Sequence, residues 1–316
     1  MRALDLITQV MEVLAALAAA PLFVGWINKC RAWLQNRSAP SLWLPYRGIR
    51  KLFHKDAVIA AQASPLFRVA PYIVFGAMVL AAAIIPSMGT ELPFTVAADA
   101  IALVGLLATA RVFLSLAAMD IGTAFGTLGA RREMMIGFLA EPALLMVIFV
   151  ASLISATTAL PAITENLATQ NLGIYPSLAF TAIAFTMVLL AENARIPIDN
   201  PATHLELTMI HEAMLLEYSA RHLALMEWAA ALKLFNYACI GFALFIPWGV
   251  STGASGPGAL LASIPLLAAK LVVAGAALAL IETVSAKLRV FRAPEFLATA
   301  FLFAVLGLLV HLLLGA

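Results

Sequence analysis

The sequence is poor in charged residues and in cysteine. Asp, Glu, Lys and Arg make up 11% of its 316 residues, against 63% hydrophobic residues, and the mean hydropathy is +0.99. The two cysteines, Cys30 and Cys239, form no CxxC pair and cannot by themselves hold an iron–sulfur cluster. Phosphate-binding loops, dinucleotide fingerprints and nucleophile elbows are also missing. We therefore expect no redox centre and no nucleotide chemistry in this chain.

Apolar runs fill most of the sequence. Each is about twenty residues long, the length that crosses roughly 30 Å of hydrocarbon. In lipid every backbone polar group must bond within its own segment, so these runs are expected to be helices. The chain is predicted to be an all-α, polytopic membrane protein with a single domain, residues 1–316. The eight predicted spans are 4–28, 67–88, 95–119, 138–160, 172–192, 223–248, 259–284 and 295–314.

Cations are confined to alternate connections. No Lys or Arg lies between spans two and three, four and five, or six and seven. By the positive-inside rule the cation-bearing loops face the cytoplasm of a bacterial inner membrane, and both termini lie outside. These predicted cytoplasmic loops are about 29–66, 120–137, 193–222 and 285–294. The acids Asp5 and Glu12 in the first span favour a retained helix over a signal peptide.

The first cytoplasmic loop, 29–66, is rich in cations and aromatic residues. From Tyr46 to Val58 the apolar residues Ile49, Leu52 and Phe53 recur at helical spacing among cations, which predicts a helix lying in the membrane interface. One interpretation is contact with anionic lipid, and the other is docking of a peripheral subunit; both can hold. The candidate docking residues are Arg37, Tyr46, Arg47 and Lys51.

The densest group of acids and histidines follows the fifth span. Asn200 and Pro201 resemble an N-cap and a first helical residue, so a new helix is predicted to start there. On one continuous helix the residues of three sets would align: His204 with His211 and His222, Glu206 with Glu217, and Glu217 with Arg221 as an ion pair. The histidine spacing does not suit a metal site.

Several ionisable residues also fall inside spans. Each costs about 2.5–3.5 kcal/mol on insertion scales, so they are expected to face the bundle interior, water or one another. Acids and imidazoles within hydrogen-bond reach could relay protons, whereas the alternative is a polar face packed against a partner. The candidate path residues are Glu133, Glu141, Glu192, Asp199, Glu206, His211, Glu212, Glu217, Glu227, Lys233 and Glu282, with Arg195 and Arg221 as structural ion-pairing residues.

Four separated stretches resemble one family. They are residues 191–214, with Ala-Glu-Asn-Ala-Arg-Ile-Pro-Ile-Asp-Asn-Pro at 191–201, residues 116–142, residues 286–294, and residues 35–53. The chain resembles the membrane subunit of energy-converting (group 4) nickel–iron hydrogenases, the family of formate hydrogenlyase subunit 4 and hydrogenase-4 component C. That family is related to the membrane subunit of respiratory complex I known in mitochondria as subunit 1.

The resemblance implies a membrane anchor that couples a peripheral redox arm to proton or sodium translocation. The implied partners are hydrogenase-like large and small subunits, an iron–sulfur subunit, antiporter-like membrane subunits and lipid, without nucleic acid. Nickel–iron and iron–sulfur centres would belong to those partners. The first loop departs from the family at Ala39, Leu44 and Gly48, where Gly, Gln and Asp are usual. A hydrogenase-related complex without a normal nickel–iron centre therefore stays open.

Three alternatives remain at this point: a quinone-site subunit of complex I, a stand-alone ion transporter, and a passive anchor in which the polar residues only pack.

Overall fold

The computed structural model describes residues 3–90, 99–169, 175–199, 209–251, 257–288 and 292–314, with side chains except at 3–7 and 257–261. Within these ranges the chain is helical, apart from loops and two isolated bridges. The helices are α1 (Ala3–Leu34), α2 (Leu44–Phe53), α3 (Pro65–Ile84), α4 (Ala100–Asp120), α5 (Ala124–Ser155), α6 (Leu160–Thr169), α7 (Pro176–Glu192), α8 (His211–Leu215), α9 (Ala220–Phe245), α10 (Pro257–Val284) and α11 (Ala293–Leu314).

Seven helices in the described ranges are long and apolar enough to cross a membrane: α1, α3, α4, α5, α9, α10 and α11. The remaining predicted span, the fifth (172–192), corresponds to α7, an apolar helix of 17 residues, at the lower limit of about 17–25 residues for a spanning helix. The prediction of an all-α polytopic bundle is confirmed. The predicted basic helix of the first loop is present as α2, although it ends at Phe53 rather than at Val58.

Two helices, α5 and α6, differ from the predicted elements. Residues 124–137, placed in a cytoplasmic loop, form the first half of the 32-residue α5, whose start is capped where Thr123 Oγ1 accepts from the Gly126 amide. No proline interrupts this stretch before Pro142, so the span continues as a helix. Helix α6 was not expected at all.

Helix α9 occupies the centre of the bundle. It packs against α1, α3 and α7. Of its most apolar stretch of 18 residues 72% is buried, compared with 22% for the corresponding stretches of α10 and α11. Helix α10 packs mainly on α1, and α11 packs on α7 and α5. Helices α4, α5, α7 and α9 therefore enclose the space in which the buried charges meet.

Candidate functional site

The guanidinium group of Arg111 on α4 lies among three carboxylates. Its Nη1 donates to Glu141 at 2.6 Å, its Nη2 donates to Glu192, and its Nε lies 3.7 Å from Glu133. Glu133 and Glu192 are buried, whereas the Glu141 side chain is about one-third exposed. The planar, multidentate shape of arginine allows one side chain to join carboxylates from α5 and α7.

A second cation completes this group. Lys233 on α9 places its Nζ 3.0 Å from Glu192 Oε2, so the two oxygens of Glu192 are held by different cations. The ring of Tyr237, one helical turn further along α9, is fully buried beside Glu192 and Arg111. We call Arg111, Glu133, Glu141, Glu192 and Lys233 the central cluster. It ties together four helices, α4, α5, α7 and α9.

Glycine on α5 makes room for the arginine. Glu133, Gly137 and Glu141 follow one another at intervals of four residues and so share a helical face. A Cβ atom at Gly137 would lie 2.8 Å from Cδ of Arg111, closer than real Cβ contacts. The missing side chain lets Arg111 lie across α5 between its two glutamates. The expected common face of Glu133 and Glu141 is therefore present, and Arg111 occupies it.

A small cavity adjoins the central cluster. It has a volume of about 30 Å³, enough for one or two water molecules, and Arg111, Glu133, His211 and Lys233 line its polar side. Its other walls are apolar side chains of α3, α4, α8 and α9. A cavity of this kind brings an imidazole, a carboxylate and two cations within reach of a shared water.

His211, the first residue of α8, faces this cavity. Although part of its surface is accessible, the ring is enclosed by protein, and this burial lowers its pKa below the ordinary value of about 6.5. The nearby carboxylates of Glu133 and Asp199 oppose the shift, and Lys233 adds to it. The pKa is lowered on balance, so the ring is neutral at neutral pH and can accept a proton.

A second group of charges lies where α1, α10 and the segment after α7 meet. Arg195 Nη1 donates to Glu282 Oε1 at 3.0 Å, and Arg31 Nη1 lies 3.5 Å from Glu282 Oε2. Both Glu282 and Arg195 are buried. Arg195 therefore pairs with a carboxylate from the seventh span, a partner 87 residues away in sequence.

Asp199 connects this second group to α8. Its Oδ2 accepts hydrogen bonds from the amides of Ile210 (3.1 Å) and His211 (3.3 Å), and its Oδ1 lies 3.6 Å from the Lys287 ammonium. Asp199 is itself buried. One carboxylate thus positions the histidine that faces the cavity and also joins the end of α10.

The expectation of one continuous helix from about Pro201 to His222 is wrong, and its predicted start, with His204, lies outside the described residues. Helix α8 ends at Leu215, and α9 begins at Ala220 after a turn. His211 faces the cavity, whereas His222 lies edge-on against Tyr72 on α3, 5.9 Å away. The predicted ion pair between Glu217 and Arg221 does not form, because the turn separates them and both side chains are exposed.

The other predicted path residues lie further from the central cluster. Glu227 on α9 is exposed and interacts with the half-buried Glu212 of α8 at the edge of the site. Glu206 lies outside the described residues. Three cations of the site were not among the predicted site residues: Arg31, Arg111 and Lys287. The sequence held a signal for Arg111, because it is a lone arginine within the third predicted span.

On α2, the cations Arg47 and Lys51 line a surface groove together with Arg50 and His54. Tyr46 instead points inward, and its hydroxyl donates to the Ala18 carbonyl of α1. Arg37 is exposed in the preceding loop.

Two of the three positions where the first loop departs from the resembled family are also open. Leu44 is exposed, and a side chain at Gly48 would meet nothing within 4 Å.

The fold and the site together define the class of protein: a polytopic helical membrane protein with a buried network of carboxylates and cations. The family model for NADH dehydrogenase matches residues 7–313. The chain belongs to this family.

Two Escherichia coli (strain K12) proteins and one solved structure are similar to this chain. Formate hydrogenlyase subunit 4 is 32% identical over 297 residues, 94% of this chain and 95% of that protein. Hydrogenase-4 component C is 34% identical over 239 residues, 75% of this chain and 74% of that protein. A chain of the membrane-bound sulfane sulfur reductase, an archaeal respiratory membrane complex, shares the fold with a TM-score of 0.83, covering 96% of this chain and 98% of that chain at 20% identity. The resemblance drawn from the residues is confirmed.

Proposed function

We propose that this chain is the membrane anchor and coupling subunit of a complex I-like, hydrogenase-type complex, and that it links a peripheral redox arm to proton or sodium translocation. The observation that carries the proposal is the sharing of Arg111 by Glu133, Glu141 and Glu192 in the centre of the bundle. Family membership and the two Escherichia coli relatives support it.

The central cluster is suited to hold a movable proton. It contains three carboxylates but only two cations, Arg111 and Lys233, so one carboxylate lacks a full countercharge when all three are ionised. In a low-dielectric interior such a carboxylate is stabilised by taking up a proton. When Arg111 shifts from one glutamate to another, the glutamate it leaves becomes the better proton acceptor. Small side-chain movements would then move a proton between α5 and α7.

The described contacts suggest the order of the path. Glu282, Arg195 and Asp199 form its entrance, with Glu206, Glu212 and Glu217 as expected outer members. His211 receives the proton at the cavity, and Glu133, Glu141 and Glu192 carry it into the bundle with Lys233. Glu227 lies beside Glu212 and would feed the same entrance.

The anchor role rests on α2 and its groove of cations. An acidic face of a hydrogenase-like large or small subunit, or of an iron–sulfur subunit, would dock on Arg37, Arg47 and Lys51, with Tyr46 fixing α2 to α1. Nickel–iron and iron–sulfur centres would belong to those subunits, and antiporter-like subunits would lie alongside in the membrane. Both termini would face away from the cytoplasm, as the distribution of cations favours.

The composition of the native complex is the first test. The chain is purified from native membranes in mild detergent, its partners are identified by mass spectrometry, and the same sample is assayed for nickel and iron. Hydrogenase-like and antiporter-like subunits with nickel support a working hydrogenase, and the same subunits without nickel support a hydrogenase-related complex. A chain that purifies alone and moves ions by itself is a transporter, and the proposal is then wrong.

Coupling is tested in inverted membrane vesicles that contain the complex. Proton uptake is followed with a pH-sensitive fluorescent dye, and electron transfer with reduced methyl viologen, in the presence and absence of sodium. We expect Glu192→Gln to keep assembly and lower ion uptake at least tenfold, with the exposed Glu165→Gln on α6 as the matched control. Uptake at the wild-type level by an assembled Glu192→Gln complex would make the chain a passive anchor. A quinone that changes the electron-transfer rate would instead favour the complex I alternative.

A further inference from the structure

Three buried polar side chains lie away from the central cluster, against the backbone of α3 and of the turn that follows it. They are almost inaccessible, with exposures of 3% for Gln9, 1% for Glu12 and 1% for Asn236. Asn236 Nδ2 donates to the Met78 carbonyl and Gln9 Nε2 to the Ala83 carbonyl, both at 2.9 Å, and Glu12 Oε1 accepts from the amides of Met88 and Gly89, both at 2.7 Å. The three side chains therefore follow α3 and the turn after it at intervals of about five residues.

One end of this row adjoins the cavity beside the central cluster. Met78, which accepts the hydrogen bond of Asn236, also lines the cavity that contains Arg111 and Glu133. Asn236 is three residues beyond Lys233 on α9, so the two share a helical face. Cys239, three residues further on, is the α9 neighbour of Glu12. The row thus starts at the site of the proposed proton transfer.

The other end reaches the far end of the bundle. Glu12 precedes Arg31 by nineteen residues on α1, which corresponds to roughly 28 Å along the helix axis, nearly the thickness of the hydrocarbon core. The Ser251 amide donates to the Met88 carbonyl at 2.8 Å, and the Ser251 carbonyl accepts from the Thr90 amide at 3.0 Å. Ser251 is partly exposed. The carboxyl of Glu12 is therefore linked to the partly exposed Ser251 through the turn at Met88 and Gly89. This surface lies at the end of the bundle opposite residues 193–199.

Each side chain in the row has one oxygen without a protein partner in the described ranges: Gln9 Oε1, Glu12 Oε2 and Asn236 Oδ1. A buried polar atom left without a hydrogen bond costs about 1–3 kcal/mol. Three such atoms, two on α1 and one on α9, are the acceptors that a short file of water molecules beside α3 would need. A purely structural role for the three residues does not require the second oxygens to be turned into the interior.

Glu12 also lacks a cation. No ion pair to it occurs in the described part of the chain. Lys270, which interacts with Cys239, donates instead to the Ile246 and Trp248 carbonyls at 2.6 Å each. The groups that face Glu12 include two backbone amides and the Cys239 thiol. An uncompensated carboxyl in such surroundings is stable when protonated and takes a negative charge only briefly.

We propose that Gln9, Glu12 and Asn236 form a hydrated proton branch that connects the central cluster to the bundle surface at Ser251. The proposal rests on the proposed function, since it gives the relayed proton an outlet. Glu12 exchanges the proton: one oxygen stays on the amides of Met88 and Gly89 while the other releases a proton to water and takes up the next. Gln9 and Asn236 orient water and do not themselves ionise. No electrons move in these steps.

The test uses the assembled complex in inverted vesicles. Glu12→Gln keeps an oxygen for the Met88 and Gly89 amides but cannot exchange a proton, so we expect normal assembly on a native gel and at least tenfold lower proton uptake. Glu12→Asp restores part of the uptake, and Glu165→Gln leaves it unchanged. A carboxylic acid C=O band in the redox-induced infrared difference spectrum of the wild type is expected to be absent in Glu12→Gln.

The outcomes separate this branch from the coupling function. If Glu12→Gln takes up protons at the wild-type rate and keeps the band while Glu192→Gln does not, the branch is wrong and the coupling function stands. If neither variant changes uptake, both are wrong. Should Glu12→Gln fail to assemble, Asn236→Leu decides: a similar loss of uptake with intact assembly supports the branch, and wild-type uptake overturns it.

Discussion

Gly137 lies beneath the Arg111 side chain, and a Cβ atom at this position would come within 2.8 Å of Arg111 Cδ. Gly137→Ala should therefore displace the arginine from the face that it shares with Glu133 and Glu141. We expect ion uptake by the complex to fall at least tenfold while the redox subunits stay bound.

The control for this substitution is Gly76→Ala on α3. A Cβ atom at Gly76 would meet nothing within 4 Å, so the change should be neutral or raise stability by up to about 1 kcal/mol through helix propensity. Equal uptake by the two variants would show that Arg111 tolerates displacement and that its position on α5 is unimportant.

Arg111→Gln should destabilise the chain. Removing one partner of a buried ion cluster leaves uncompensated charge and typically costs about 3–5 kcal/mol, even where the intact cluster contributes little. The melting temperature of the purified complex measures the effect. Arg111→Lys should recover stability only in part, because one ammonium cannot join Glu141 and Glu192 as the guanidinium does. The control Arg221→Gln, at an exposed residue, should stay within about 0.5 kcal/mol of the wild type.

Asp199 positions α8 through two kinds of contact that mutagenesis can separate. Asp199→Asn retains an oxygen for the Ile210 and His211 amides but loses the charge that faces Lys287. Asp199→Leu loses both. Hydrogen bonds to a charged acceptor contribute about 1.5–3 kcal/mol, so amide exchange in 210–215 should accelerate at least tenfold in Asp199→Leu and less in Asp199→Asn. Wild-type exchange rates in both variants would assign the ordering of α8 to packing alone.

His211 makes stability depend on pH. Burial lowers its pKa below about 6.5, so between the folded and unfolded values the unfolded chain binds more protons. Stability contributed by the neutral ring is full above pH 6.5 and falls as the pH drops toward the folded pKa. The melting temperature should therefore decrease from pH 7 to pH 5 more steeply in the wild type than in His211→Asn. A steeper decrease in the variant would contradict a lowered pKa.

The spans and the interfacial helix could be predicted because they depend on local composition. Runs of apolar residues identify membrane helices, and Ile49 and Phe53 among cations identify α2. The partners of the buried charges could not be predicted in this way. Arg111 and Glu192 are 81 residues apart, and nothing local to either residue specifies the other.

The break between α8 and α9 was missed for a related reason. Leu216, Glu217, Tyr218 and Ser219 include neither glycine nor proline, so a continuous helix was expected. The turn depends on distant contacts instead: Tyr218 stacks on Phe67 with ring centroids 4.0 Å apart, and its hydroxyl donates to the Phe67 carbonyl. Such contacts exist only once the helices have assembled.

Ser219 joins the first loop of the chain to the start of α9. Its hydroxyl donates to the Val58 carbonyl at 2.6 Å and accepts from the Val58 amide at 2.9 Å, which fastens the chain after α2 to the start of α9. Only residues 216–218 separate Ser219 from the end of α8. A subunit bound to α2 would therefore contact a part of the chain that is joined to α8, which carries His211, through a few residues of backbone.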